Sequence, residues 1–122
     1  MLNLTLNQQY FDATKAGIKT VEGRLNKPKF HTLKPGDPLT FTCKETGEVL
    51  TCTVTTLHTY SSFETMLQSE GLTNMLPWTK SIQEGVAVYE SFPGFKEGVK
   101  EVGALAIGVR VTKSIQQSFF NL

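Results

Sequence analysis

Between positions 19 and 24 the chain reads Lys19-Thr20-Val21-Glu22-Gly23-Arg24, two cations and a carboxylate within six residues. In an extended segment Thr20, Glu22 and Arg24 share one face, with Val21 and Leu25 on the other. Lys19 lies at the junction with the preceding segment, so parity does not fix its direction. These residue types support a definite chemistry. A glutamate accepts hydrogen bonds from a nucleobase edge or acts as a general base. A lysine partly desolvated beside an arginine has a lowered pKa and can serve as base or nucleophile. An arginine grips a carboxylate or phosphate in bidentate fashion. The same residues also describe an exposed, salt-bridged strand face, and periodicity alone leaves both readings open.

Other sources of chemistry are sparse. The chain has no GxGxxG, GxxxxGK[ST], HExxH or CxxC pattern. His31 and His58 have no metal-ligand spacing to a second strong ligand, and His58 is read as a partly buried strand residue beside Tyr60. Cys43 and Cys52 are read as free core thiols, since two cysteines make neither a disulfide framework nor a complete metal site. No metal or cofactor is expected. Lys27, Lys29, His31 and Lys34 form a basic stretch that reads either as a phosphate-reaching loop or as a solvated turn. Tyr60 and Trp78 are candidates to stack on a base, and Trp78 serves equally as a core anchor.

The elements that must position these residues follow from pattern. Leu2, Leu4 and Leu6 alternate with polar neighbours and predict a strand. Asn7 reads as the N-cap of a helix over 8–16, closed by Gly17, and residues 18–25 read as a strand. Lys34-Pro35-Gly36-Asp37 fits a type II turn. Residues 38–45 and 48–58 predict a hairpin about Thr46-Gly47. Leu39 then faces Val54, Phe41 faces Cys52 and Cys43 faces Leu50, with Thr40 against Thr53 and Thr42 against Thr51 on the other face. Glu45 would face Glu48, which calls for a looser loop. Ser61-Ser62-Phe63-Glu64 fits a capping box ahead of a helix ended by Gly71. Trp78, Ile82, Val86 and Tyr89 define a further helix despite Gly85, and Pro93-Gly94 ends it. Residues 94–102 read as a charged loop and 103–112 as a strand with Leu105, Ile107, Val109 and Val111 on one face. The tail from Lys113 reads as frayed.

The 122 residues, 39% hydrophobic and 19% charged, predict one globular domain over 1–122. A net charge of +1 excludes a global basic field, so any contact with nucleic acid is local. No apolar run approaches the roughly 20 residues that span a bilayer. The N-terminus lacks the basic and long apolar regions of a signal peptide, so a cytoplasmic protein without membrane contact is expected. Oligomeric state is not legible, and a monomer is assumed.

The segment Gly17-x-Lys19-Thr20-Val21-Glu22-x-Arg24 resembles the signature of the ASCH domain, a small β-barrel family similar to PUA domains. Tyr10-Phe11, Leu33-Lys34-Pro35-Gly36-Asp37, Ser62-Phe63-Glu64-x-Met66-Leu67 and Gly103-Ala104-Leu105-Ala106-Ile107-Gly108-Val109 are similar to further landmarks in the same order. The resemblance implies an α+β fold: a PUA-like, mostly antiparallel mixed barrel of five to six strands with two or three flanking helices. It also implies a cleft between the motif strand and a neighbouring helix, and binding of RNA or a modified nucleoside there.

One bacterial branch of the family hydrolyses the acetyl amide of acetylated cytidine with the motif lysine, a threonine three positions later and a distant glutamate. Lys19 matches the lysine, Glu22 stands where that threonine would be, and Glu70 is the candidate for the glutamate. Another branch is reported to cut RNA with a divalent metal. The expected function is therefore binding of RNA or a nucleoside-like ligand by Lys19, Thr20, Glu22, Arg24, Tyr60, Trp78, Lys27 and Lys29. The alternatives are an acetylcytidine amidohydrolase or RNA-cleaving hydrolase using Lys19 and Glu22, and a protein-interaction module with an apolar patch at Phe119-Phe120.

Overall fold

A computed structural model describes residues 1–115 of the chain. The expected patch at Phe119-Phe120 and most of the tail lie outside the described residues. The strands are β1 (Leu2–Leu6), β2 (Val21–Leu25), β3 (Pro38–Cys43), β4 (Val49–Tyr60) and β5 (Ala104–Ile115). The helices are α1 (Gln8–Lys15), α2 (Phe63–Glu70), α3 (Leu72–Met75), α4 (Ile82–Glu90) and α5 (Phe95–Val102), with a short 3-10 turn at Pro28–Phe30. The strands form one mixed sheet in the order β1-β3-β4-β5-β2. Only β1 and β3 run parallel. The expected α+β class and mostly antiparallel sheet are present. The expected closed barrel is not: the sheet curls into a half-barrel whose two edge strands, β1 and β2, share no backbone ladder.

Both faces of β5 are covered. Leu105, Ile107 and Val109 face Leu39, Phe41, Leu50, Cys52 and Val54 on the inside of the curl. Ala104 and Ala106 face outward into a second cluster with Phe63, Met66, Leu67, Leu76 and Tyr89. Both cysteines are free and buried, and burial pushes the Cys52 thiol up to about 11.

The hairpin keeps the expected faces but not the expected partners. Leu39 pairs with Cys52, Phe41 with Leu50 and Thr40 with Thr51, a displacement of two residues. Such a slip conserves parity, so core packing cannot forbid it. The loop decides it, because the Cys43 N–H donates to Glu48 O and so leaves four residues outside the pair, which also removes the Glu45–Glu48 clash.

Helix α1 ends as expected. Gly17 takes φ +76°, its N–H donates to Thr14 O, and Ile18 N–H donates to Ala13 O, the paired bonds of a left-handed cap. Its start differs. Asn7 makes no side-chain cap bond, and Glu45 Oε1 accepts from Gln8 N–H from across the fold. Helix α2 is capped by Ser62, which accepts from Thr65 N–H, rather than by Ser61.

Among the described residues five helices stand where two or three were expected. α3 is a single turn, too short to leave a periodic pattern. α5 occupies the expected charged loop 94–102. Gly98 is where α5 crosses β2: a Cβ there would come within 2.5 Å of Leu25 Cδ1. Phe95 and Val99, four apart, pack on the second cluster. Gly85 in α4 has the same origin, lying 2.9 Å (as an added Cβ) from both Leu67 and Leu72 Cδ1.

Gly103 joins α5 to β5 at φ +78° and ψ −178°, a region open essentially only to glycine. An added Cβ would also lie 2.9 Å from the Tyr60 carbonyl oxygen. Gly103→Ala is expected to destabilise the protein by about 2–4 kcal/mol in chemical denaturation. A loss under about 0.5 kcal/mol, the range of an ordinary surface change, would contradict this packing.

Candidate functional site

In β2, Glu22 pairs with Ile107 and Arg24 with Leu105. Directly opposed residues of an antiparallel pair share a face. Glu22 and Arg24 therefore point to the inside of the curl, among the apolar residues, at the gap between β1 and β2. Val21 and Leu25 face the outer cluster.

Lys19 precedes the strand. Its side chain turns inward and is 2% exposed. Its Nζ donates to Val21 O at 2.7 Å and Met75 O at 2.8 Å, and lies 3.5 Å from Glu22 Oε1. Two carbonyls and a carboxylate around one nitrogen match the three N–H donors of an ammonium; a neutral amine would turn its lone pair toward an oxygen. Burial lowers the Lys19 pKa, and the Glu22 carboxylate offsets only part of that shift.

Arg24 completes the group. Its Nε donates to Glu22 Oε2 at 2.7 Å, and its Nη2 donates to Thr5 O of β1 at 3.1 Å. This side chain bridges the seam that the sheet leaves open.

A cavity of about 250 Å³ occupies that seam. Lys19, Glu22 and Arg24 provide its charged floor, and Leu6, Tyr10, Leu76, Tyr89, Phe92 and Phe95 its apolar and aromatic walls. Tyr10 is braced by Trp78 and Phe92, at ring-centroid distances of 5.1 and 6.0 Å. Tyr89 lies flat on Phe63, and its hydroxyl abuts Gly23, where an added Cβ would come within 2.6 Å of it. That hydroxyl is buried, and among the described residues no group pairs with it. Burial, then the Glu22 charge, raises the pKa of both Tyr10 and Tyr89, that of Tyr89 well above the ordinary value.

The structure thus brings Lys19, Glu22 and Arg24 together and places the other sequence candidates elsewhere. Thr20 is exposed and engaged through its backbone, donating to Asn74 O and accepting from Val109 N–H. Glu70 does not line the cavity. It accepts from Tyr60 Oη and hydrogen-bonds His58 Nδ1 at 2.8 Å, so His58 lies on β4 as expected but is half-exposed rather than partly buried. Tyr60 is held in that cluster. Trp78 stands behind Tyr10 and does not reach the cavity. Lys27 and Lys29 are exposed on the loop, with Lys29 over the Phe30 ring. The wall residues Tyr10, Tyr89, Phe92 and Phe95 were not singled out by sequence as site residues. Tyr89 was legible only as one member of a helical apolar stripe, and the adjacent Phe92-Pro93 is the other local signal. Among the described residues there is no cluster of histidine, cysteine and carboxylate side chains able to hold a metal ion.

The sequence profile of the ASCH domain matches residues 4–112. The crystal structure of hypothetical protein PH0355 is similar at 39% identity and a TM-score of 0.82, over 91% of this chain and 98% of that one. The solution structure of protein PF0455 from Pyrococcus furiosus is similar at 35% identity and a TM-score of 0.73, over 92% and 97%. ASCH from Zymomonas mobilis shares the fold at 16% identity and a TM-score of 0.63, over 94% and 72%. No curated protein matches the chain.

The unpaired Tyr89 hydroxyl generates a pH-dependent prediction. Near neutrality Tyr89→Phe removes a buried, unbonded polar group, so stability is expected to hold or rise by up to about 1 kcal/mol. Above about pH 10 tyrosine ionises in the unfolded chain while folded Tyr89 keeps its proton. The native state then binds more protons, so this residue makes stability fall as pH rises. The variant lacks that loss and should gain on the wild type by about 1.4 kcal/mol per pH unit in denaturation curves. A variant weaker by more than 1 kcal/mol at neutral pH would show that the hydroxyl is bonded.

Proposed function

The chain belongs to the ASCH domain family, and from that membership we propose that the cavity binds a single base, either extruded from single-stranded RNA or carried by a modified nucleoside. One observation carries this reading: a carboxylate, Glu22, sits between two cations on the floor of an aromatic-walled cavity. A carboxylate offers about four lone-pair sites. Arg24 takes one at short range and Lys19 approaches another at 3.5 Å. The rest can accept from the ring N–H or exocyclic amino group of a base. Tyr10, Phe92 and Phe95 supply surfaces on which an unstacked base can lie. A volume of about 250 Å³ is small beside the roughly 300–1,000 Å³ typical of drug-sized ligands, which favours one base over a longer stretch. Lys27 and Lys29, on the exposed loop, are assigned to the RNA backbone outside the cavity.

Hydrolysis through Lys19 is less well supported. Its ammonium is spent on two carbonyls and Glu22, so attack would first require breaking two short hydrogen bonds and removing a proton. Glu70, the candidate third member, is committed to His58 and Tyr60. Glu22 is the group we assign to base recognition.

The test is calorimetric titration with a panel of nucleosides, acetylated cytidine included, and short single-stranded RNAs at low salt. Binding is expected. Glu22→Gln should weaken it about tenfold or more, the worth of a hydrogen bond to a charged group. Lys27→Ala and Lys29→Ala should weaken RNA and flatten its salt dependence while sparing free nucleosides. No binding by any base-bearing ligand would overturn the proposal, and release of cytidine from acetylated cytidine would restore the hydrolytic reading.

A further inference from the structure

The charges lining the cavity do not balance. Lys19 and Arg24 each carry a positive charge, and Glu22 is the one acid among the lining residues, so the floor holds a net charge of +1. Lys19 donates to two carbonyls and lies 3.5 Å from the Glu22 carboxylate, a set of acceptors that suits an ammonium. The tyrosines do not supply the missing negative charge, because burial keeps both hydroxyls protonated. Asp12, the nearest acid in sequence to the Asn7 rim, accepts from Gln8 Nε2, Glu45 caps α1, and neither lines the cavity. One carboxylate is shared between the two cations, and Arg24, paired with it at 2.7 Å, still has donors to spare. It has five N–H donors, of which Nε and one of Nη2 are used, leaving three. At 21% exposure it is the one of the three charged groups that solvent reaches appreciably. A group of two cations and one carboxylate beside apolar walls leaves a net positive charge that is costly unless a second anion joins it.

We infer that the ligand is anionic: a phosphate group sits on Arg24 at the mouth while the attached base occupies the aromatic interior. This rests on the base-binding reading and narrows it to nucleotides, whether a free nucleoside monophosphate or the phosphodiester of an RNA strand. Nη1 and Nη2 offer the paired donors that phosphate oxygens accept in bidentate fashion. Because Lys19 and the Nε of Arg24 both hold Glu22, the carboxylate stays on the base side and does not compete for the free donors.

The experiment compares five ligands with the full chain at low salt: a nucleoside, its monophosphate, a trinucleotide RNA carrying the same base, inorganic phosphate, and dimethyl phosphate. The monophosphate or the trinucleotide should bind at least about tenfold more tightly than the nucleoside. That advantage should shrink with added salt and disappear in Arg24→Gln, whose folding is checked by thermal melting. Preference for the trinucleotide identifies RNA as the source of the phosphate, and preference for the monophosphate a free nucleotide. Equal affinity for nucleoside and nucleotide in the wild type overturns the anionic ligand while leaving base binding intact, and needs no variant. Inorganic or dimethyl phosphate binding as tightly as the nucleotide supports the anion site and overturns base recognition. No binding by any of the five overturns both.

Discussion

The site depends on an ammonium group kept out of water. Desolvating a charge costs several kcal/mol unless every donor finds an acceptor in good geometry. Lys19 meets that demand with two backbone carbonyls and one carboxylate, drawn from the start of β2 and the end of α3. Much local architecture follows. α3, a single helical turn, ends at Met75, whose carbonyl Lys19 needs, and Asn74 O next to it accepts from Thr20 N–H. Two bonds therefore pin the entry of β2 to α3. They fix the direction in which Glu22 and Arg24 leave the strand, and with it the composition of the cavity floor.

The second constraint is the unclosed sheet. Edge strands expose unpaired backbone groups and must be covered or blunted. Here β1 and β2 face each other across a gap that a side chain spans: Arg24 reaches Thr5 O. A full ladder in that place would fill the seam with backbone and leave no cavity. The open edge and the binding pocket are one feature, and Arg24 both bridges the strands and presents its remaining donors at the mouth.

Much of this was legible in the sequence where a period repeats. The alternation in β1 and β5, the Gly17 cap and the apolar parity of the hairpin all depend on neighbours along the chain. Parity also put Glu22 and Arg24 on one face of β2. Three things were not legible, each for a physical reason. Lys19 lies before the strand, so its inward turn is set by Met75, 56 residues away. The hairpin register could slip by two residues without exposing an apolar side chain. The helix α5 was masked because it is short and charged and follows directly on Pro93-Gly94, and its Gly98, a weak helix former, is what its packing on Leu25 requires. Of the aromatic walls, Tyr89 was visible only as part of an apolar helical stripe and Phe95 fell in the expected charged loop; in the fold Tyr89, Phe92 and Phe95 serve the outer cluster and the cavity together.

The central claim is that Lys19 is a fixed, charged structural group rather than a free amine. Heteronuclear NMR of the lysine Nζ at neutral pH reads this directly. The account predicts one lysine signal with the nitrogen shift of an ammonium and three N–H protons that exchange slowly enough to observe. That signal should disappear in Lys19→Met. A Lys19 nitrogen with the shift of a neutral amine at pH 7, or an ammonium exchanging as fast as those of the surface lysines, would contradict it.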